Sequence, residues 1–225
     1  MEDIIKATEC IVTWQGEGCD SGKRMLLIRV RYCSREKELR ACKFCDTIIK
    51  QRNSLESEYK LKDLQKIINE EKTGLLVTGG ECTYDLHFND TVKLLNNLTY
   101  PICNVETNGY DLINLIPKID PIKNVIYIYS PKIFSIDDLK TEIERTKRLK
   151  DFKNVCFKVV YQKGVSVMGY LEFLTTLKDI NNRVYLMPEG KNRKELLQNA
   201  PEVFDICESR KFNFSSRDHI IYEFV

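Results

Sequence analysis

Six short apolar runs recur along the chain: Met25–Val30, Leu75–Val77, Ile102–Val105, Asn124–Tyr129, Val155–Val160 and Arg183–Met187. They are rich in Val, Ile, Leu and Tyr and mostly unbroken by polar residues, as strands covered on both faces are. Polar turns and stretches of helical spacing lie between them. Leu61, Leu64, Ile67 and Ile68 form one helical stripe, and Val92, Leu95 and Leu98 form another. Ser135 reads as the cap of a helix with Asp138 at its third position and with Ile136, Leu139 and Ile143 turned inward. Leu196, Ala200, Val203, Phe204 and Cys207 make a late stripe that Pro201 is expected to kink or restart. Strands alternating with helices predict an α/β fold with a parallel sheet. Six strands suit an open, partial (β/α) barrel of about six parallel strands better than a closed eight-stranded one. In such folds chemistry gathers at the carboxyl ends of the strands.

No Gly/Ser-rich linker, low-complexity tract or internal repeat divides the 225 residues, which predicts a single domain over 1–225. Lys and Arg number 35 against 33 Asp and Glu, a net charge of +2, and this argues against a nucleic-acid partner. The basic run Arg145–Lys150 directly follows Glu142 and Glu144, so it reads as the solvated face of a helix. No stretch approaches the ~18 apolar residues of a membrane span, and Met1–Lys6 lacks the form of a signal peptide. A cytoplasmic protein with no membrane partner is the expectation. Nine cysteines are many for that compartment, where structural disulfides are rare, and an odd number cannot all pair. Some are expected to hold a metal and the rest to be small buried hydrophobes.

The unusual residues follow the strands. After the first run come Cys33 and Cys42-Lys43-Phe44-Cys45-Asp46-Thr47, and after the second Thr78-Gly79-Gly80-Glu81. Glu106-Thr107-Asn108-Gly109, Ser130-Pro131-Lys132 and Pro188-Glu189-Gly190 follow the third, fourth and sixth. Gly, Asn and Pro end strands everywhere, so each has a structural explanation alone. Five on one rim point to a site. Three soft ligands in the pattern Cys-x8-Cys-x2-Cys suit an iron–sulfur cluster or zinc. A structural zinc site takes four protein ligands, and no fourth Cys or His lies nearby in the sequence. Three thiolates would leave one iron of a cubane cluster open to chelate the amino and carboxylate groups of S-adenosylmethionine.

These motifs resemble those of radical S-adenosylmethionine enzymes, in which an aromatic residue, here Phe44, precedes the last cysteine and a Gly-Gly-Glu loop follows the next strand. The eight-residue gap between the first two cysteines and Cys82 in place of a proline depart from the superfamily pattern. Further segments narrow the resemblance to the 7-carboxy-7-deazaguanine synthase family. They are Trp14-Gln15-Gly16-Glu17-Gly18, Ile28-Arg29, Cys45-Asp46-Thr47, Glu106–Gly109, Ser130–Lys132, Leu186–Gly190 and Arg217-Asp218-His219, in matching order from about residue 10 to the end.

The resemblance implies a radical ring contraction of 6-carboxy-5,6,7,8-tetrahydropterin to 7-carboxy-7-deazaguanine, a carbon–nitrogen lyase reaction of deazapurine and queuosine biosynthesis. It implies a [4Fe–4S] cluster on Cys33, Cys42 and Cys45. S-adenosyl-L-methionine would lie against Phe44, Cys45, Asp46, Gly79, Gly80, Glu81, Ser130, Pro131, Lys132 and Met187, and Mg²⁺ on Thr47. Trp14, Gln15, Gly16, Glu17, Arg29, Thr78, His219 and the Val225 carboxylate would meet the pterin. Glu17 and His219 are the catalytic candidates. Gln15 and Glu17 offer acceptors to its N–H edge, and Arg29 suits an anionic substrate. His87 reads as structural and Trp14 more as packing than as a stacking platform. A flavodoxin- or ferredoxin-type reductant and a homodimer are further implications. The rival readings are a glycyl-radical-enzyme activase and a non-catalytic zinc module.

Overall fold

In a computed structural model that describes residues 3–37, 42, 45 and 54–224, all six expected strands form. They are β3 (Arg24–Val30), β5 (Gly74–Gly79), β6 (Cys103–Thr107), β7 (Val125–Tyr129), β8 (Val155–Tyr161) and β9 (Val184–Pro188). Four more strands were not legible as apolar runs: β1 (Ile4–Ala7), β2 (Glu9–Trp14), β4 (Ser57–Lys60) and the two-residue β10 (Asn213–Phe214). Their faces are mixed or partly exposed, so they lack the continuous apolar run of a doubly covered strand.

The chain forms two compact units, and the division falls within β7. The first comprises Met1–Gln15 and Gly22–Tyr127. In it β3 pairs in parallel with β5 and β5 with β6, while β2 adds an antiparallel edge to β3. A separate antiparallel ladder joins β1 to β4. Among its described residues the helices are α1 (Ser34–Lys37), α2 (Leu61–Glu71), α3 (Asp85–Asn97) and α4 (Leu112–Leu115).

The second unit comprises Gly16–Ser21 and Ile128–Val225. Here β8, β9 and β10 are parallel neighbours, accompanied by α5 (Ile136–Leu149), α6 (Val165–Thr175), α7 (Arg193–Arg210) and α8 (Asp218–Ile221). The α/β class and the mostly parallel sheet agree with the sequence. Among the described residues no helix is long and apolar enough to cross a membrane.

Ser135 caps α5 as expected, its hydroxyl accepting from Asp138 N at 3.1 Å. The inward face differs from the expectation. Ile136 is exposed, and Glu142, Thr146 and Leu149 are buried instead. The reason is polar: Glu142 accepts from Tyr129 Oη and, on both oxygens at 2.8 Å, from Arg145. Arg145 therefore turns inward, while Lys147 and Lys150 of the same basic run pair with Glu144 and Asp151 near the surface. Helix α7 runs through Pro201, with Leu196, Val203 and Cys207 buried and Phe204 exposed and stacked on Phe214.

Register explains how the first unit lays out one face of its sheet. Thr13 pairs with Met25, Ile11 with Leu27 and Glu9 with Arg29, and across β3 Leu27 pairs with Leu76 and Arg29 with Thr78. Because side chains alternate across a sheet, Met25, Leu27 and Arg29 share a face with Leu76 and Thr78, and with Asn104 opposite Leu76. Met25, Leu27 and Leu76 pack with Ile11 and Ile102 into an apolar floor. One step further along the strands the same face turns polar. Leu76→Ala should open this floor and lower unfolding free energy by about 2–5 kcal/mol, measured by urea denaturation.

Candidate active site

Strand β3 delivers the chain to Cys33 through a backbone junction with no room for side chains. Gly80 N donates to Val30 O at 2.9 Å and Glu81 N to Tyr32 O at 2.8 Å. A Cβ on Gly80 would stand 2.1 Å from Tyr32 O. Gly79 has φ +117°, and a Cβ there would stand 2.4 Å from Val30 O. Only glycine fits at either position. His87 supports the same segment, as expected of a structural histidine. Its Nε2 accepts from Tyr32 N at 3.0 Å, its ring stacks on Tyr32, and burial lowers its pKa.

Glu81 ties the next strand ends together. Its Oε1 accepts from Thr83 N, Thr83 Oγ1 and Thr107 Oγ1 at 2.9, 2.6 and 2.5 Å, and its Oε2 from Asn108 N at 2.6 Å. The Asn108 side chain reaches back to the start of α1, donating to Ser34 Oγ at 3.3 Å and toward Cys33 Sγ at 3.8 Å. The loops after β3, β5 and β6 thus form one hydrogen-bonded assembly.

Cys33, Cys42 and Cys45 are each partly exposed, and Cys45 N donates to Cys42 O at 3.1 Å. Among the described residues no three His, Cys, Asp or Glu side chains are gathered to hold a metal ion. The donor set itself fits an iron–sulfur cluster: three accessible thiols, with an amide N–H directed at the sulfur of the first. Phe44, Asp46, Thr47 and Val225, drawn into the site by the sequence, lie outside the described residues. Cys82 is fully buried and donates to Glu106 O at 3.3 Å, and burial pushes its thiol well above the ordinary range. A thiol held protonated and inward is a poor metal ligand.

On the polar part of the sheet face, Gln15 Nε2 donates to Asn104 Oδ1 at 3.3 Å and to Glu106 Oε1 at 3.4 Å. Thr78 Oγ1 donates to Glu106 Oε2 at 2.9 Å. Arg29 pairs with Glu9 across the strands at 2.6 Å. Trp14, at the end of β2, is 50% exposed. Asn104 was missed by sequence reasoning because it sits inside an apolar run. A polar residue interrupting that run was the available signal, and the structure buries it completely.

The second unit builds a different site around Glu17. Lys158 Nζ donates to Glu17 Oε2 at 2.5 Å and Arg217 Nε to Glu17 Oε1 at 2.8 Å. His219 Nε2 lies 3.8 Å from Oε1. Arg217 is itself anchored by Gly190 O at 2.9 Å. Burial alone would raise the Glu17 carboxyl, but Lys158, Arg217 and His219 outweigh it and hold it well below the usual carboxylate range. It is therefore a fixed anionic acceptor. The loop is seated closely: Asp218 N donates to Gly16 O at 2.9 Å, and a Cβ on Gly16 would meet His219 Nδ1 at 2.4 Å. The structure brings Glu17 and His219 together, with two cations beside them. Arg217 had stood only in a terminal motif. Lys158 had been missed, although it is the only charged residue of its strand.

Also in this unit, Lys132 Nζ donates to Ser130 Oγ at 2.8 Å, beside a buried Pro131 at the end of β7. Met187 is buried on β9.

No family model matches the sequence. A 7-carboxy-7-deazaguanine synthase from Hyperthermus butylicus is 25% identical over 237 residues, covering 99% of this chain and 94% of that protein. The crystal structure of QueE from Escherichia coli superposes with a TM-score of 0.61 at 20% identity, covering 96% of this chain and 95% of that one. Streptococcus suis SuiB bound to S-adenosylmethionine gives 0.56 at 14% identity, over 85% of this chain and 49% of SuiB. The structural likenesses establish the fold, and the sequence likeness runs end to end. Over 99% of its residues the chain is similar to a 7-carboxy-7-deazaguanine synthase, and it has the fold of QueE, in agreement with the radical S-adenosylmethionine family that its motifs resemble.

Proposed function

We propose that this protein is an enzyme that contracts the ring of 6-carboxy-5,6,7,8-tetrahydropterin to 7-carboxy-7-deazaguanine with release of ammonia, the whole chain acting as one catalytic domain. The observation that carries this reading is the Glu17 site: a buried carboxylate kept ionised between Lys158 and Arg217, with His219 beside it. A reduced pterin presents a row of N–H donors, and such donors are matched by a charged acceptor that cannot be protonated at neutral pH.

Cys33, Cys42 and Cys45 would hold a [4Fe–4S] cluster, with S-adenosylmethionine at the Gly79–Glu81 and Ser130–Lys132 segments beside Met187. Together the cluster and S-adenosylmethionine would supply, when bound, the 5′-deoxyadenosyl radical that abstracts a substrate hydrogen. The protein's part is orientation, because a primary carbon radical takes the nearest hydrogen. Gln15 is held by Asn104 and Glu106 in the first unit and Glu17 by its cations in the second, and each would offer the substrate a fixed polar group. Thr47 would bind Mg²⁺ at the substrate carboxylate, where a hard cation suits hard oxygens. Arg29 and Thr78 would serve the same substrate, and Val225 its N–H groups. A flavodoxin or ferredoxin would supply the electron, and the working form would be a cytoplasmic homodimer.

The test is anaerobic incubation of the reconstituted protein with the carboxytetrahydropterin, S-adenosylmethionine and a reductant, followed by mass analysis. Product and ammonia are expected together in equal amounts. Formation of a glycyl radical on an added partner, with the pterin untouched, would overturn the reading.

Iron content checks the ligand set independently. Replacing Cys33, Cys42 or Cys45 by Ala should abolish cluster absorption, and Cys82→Ala should leave iron at the wild-type level. Loss of about a quarter of the iron from the Cys82 variant, one atom of a four-iron cluster, would make it a fourth ligand and close the iron that S-adenosylmethionine needs.

A further inference from the structure

Lys158 lies on β8 among Val155, Cys156, Phe157 and Val159, all buried, and is itself 4% exposed. An ammonium is costly to bury without a partner, so the strand keeps it only because Glu17 receives it. As a stability device the pair is weak, since desolvation offsets most of the attraction and an apolar pair of similar volume would serve. Its geometry suits another purpose. Lys158 engages one carboxylate oxygen and Arg217 the other, so the plane of the carboxylate is set from both ends. The loop bearing Glu17 is fastened beside the lysine stem: Gly18, at φ +75°, donates from N to Ser215 Oγ at 2.8 Å, and a Cβ there would lie 3.8 Å from Lys158 Cδ.

Resting on the function proposed above, we propose that Lys158 is a positioning residue of the substrate site, holding Glu17 as a charged acceptor, fixed in direction, for the N–H groups of the pterin ring. Lys158 touches no reacting atom and acts through Glu17. Among the described residues the charged and titratable groups facing Glu17 include Lys158 from β8 and Arg217 and His219 from the terminal segment.

The sign of the pH effect follows. These cations depress the Glu17 carboxyl against the raising effect of burial. With Lys158 gone, burial weighs more and the carboxyl rises. Protonation then removes the acceptor as pH falls through the raised value.

Two measurements on the holoenzyme test this. In ¹³C NMR of Glu-carboxyl-labelled protein, assigned with Glu17→Gln, Glu17 should stay ionised in wild type between about pH 6 and pH 8. It should titrate within or closer to that window in Lys158→Met. In the anaerobic assay Lys158→Met should raise the pterin KM roughly 10-fold or more, increasingly toward low pH, with kcat little changed. Lys158→Arg should restore a flat KM profile. In the double variant with Glu17→Gln, the Lys158→Met loss should vanish. Should Lys158→Met not fold, Lys158→Gln carries the same comparison.

An unmoved Glu17 titration, a KM that ignores pH, or losses that multiply in the double variant would each overturn the proposal. If wild type leaves the pterin unchanged while the Glu17 titration still shifts in Lys158→Met, the substrate reading fails and the carboxylate clamp alone survives.

Discussion

Four hydrogen bonds from Thr83, Thr107 and Asn108 to the Glu81 carboxylate hold the first unit's strand ends in register. Parallel strands end in loops that share no ladder, so something other than the sheet must align them. Glu81 does so with acceptors: two donors from Thr83, one from Thr107 and one from the backbone of Asn108. Hydrogen bonds to a charged group contribute about 1.5–3 kcal/mol each, and a buried carboxylate stripped of its donors costs more than it gave. Through Asn108 the same assembly reaches Ser34 and Cys33. Glu81 was assigned to the cofactor loop by resemblance. Its side chain braces that loop.

A second carboxylate, Glu17, is handled in the opposite way. Neutral donors surround Glu81, which makes it a structural knot, whereas cations surround Glu17, which makes it an electrostatic fixture. The difference matters for recognition. Neutral donors brace Glu81 in place, whereas the cations beside Glu17 keep its carboxyl ionised despite burial. The apolar floor of Met25, Leu27 and Leu76 has a comparable effect on Gln15, Asn104 and Glu106 above it, because little water competes for their hydrogen bonds on that face.

Much of this was legible in the sequence because the physics is local. Doubly covered strands write continuous apolar runs, and all six were found. Ser135 and Asp138 wrote a helix cap. The rest depends on contacts far apart in the chain. Strands β1, β2 and β4 carry mixed faces and announce no period. Ile136 fits the inward stripe by spacing, yet Tyr129, seven residues earlier on a strand, draws Glu142 inward instead. Lys158 and Asn104 sat in plain view as polar interruptions of apolar runs. Their meaning came from Glu17, 141 residues away, and Gln15, 89 residues away. Motif order identified the segments, and only tertiary structure distinguished bracing residues from those that present a charge.

The crowding at Gly79 and Gly80 bears on how this protein could be altered. Backbone packs against backbone there, leaving space for hydrogen alone, so two adjacent positions admit no variation whatever the surroundings become. Glu81 is locked by its donors. The first position of the loop at which a different residue could be accommodated is therefore 82, where a small thiol fills a closed slot under Glu106 O. Laboratory evolution of this loop would have to proceed by exchanges at that slot among small residues. Changes in loop behaviour would come from how stiffly position 82 holds the chain, with the residues facing the ligand unaltered.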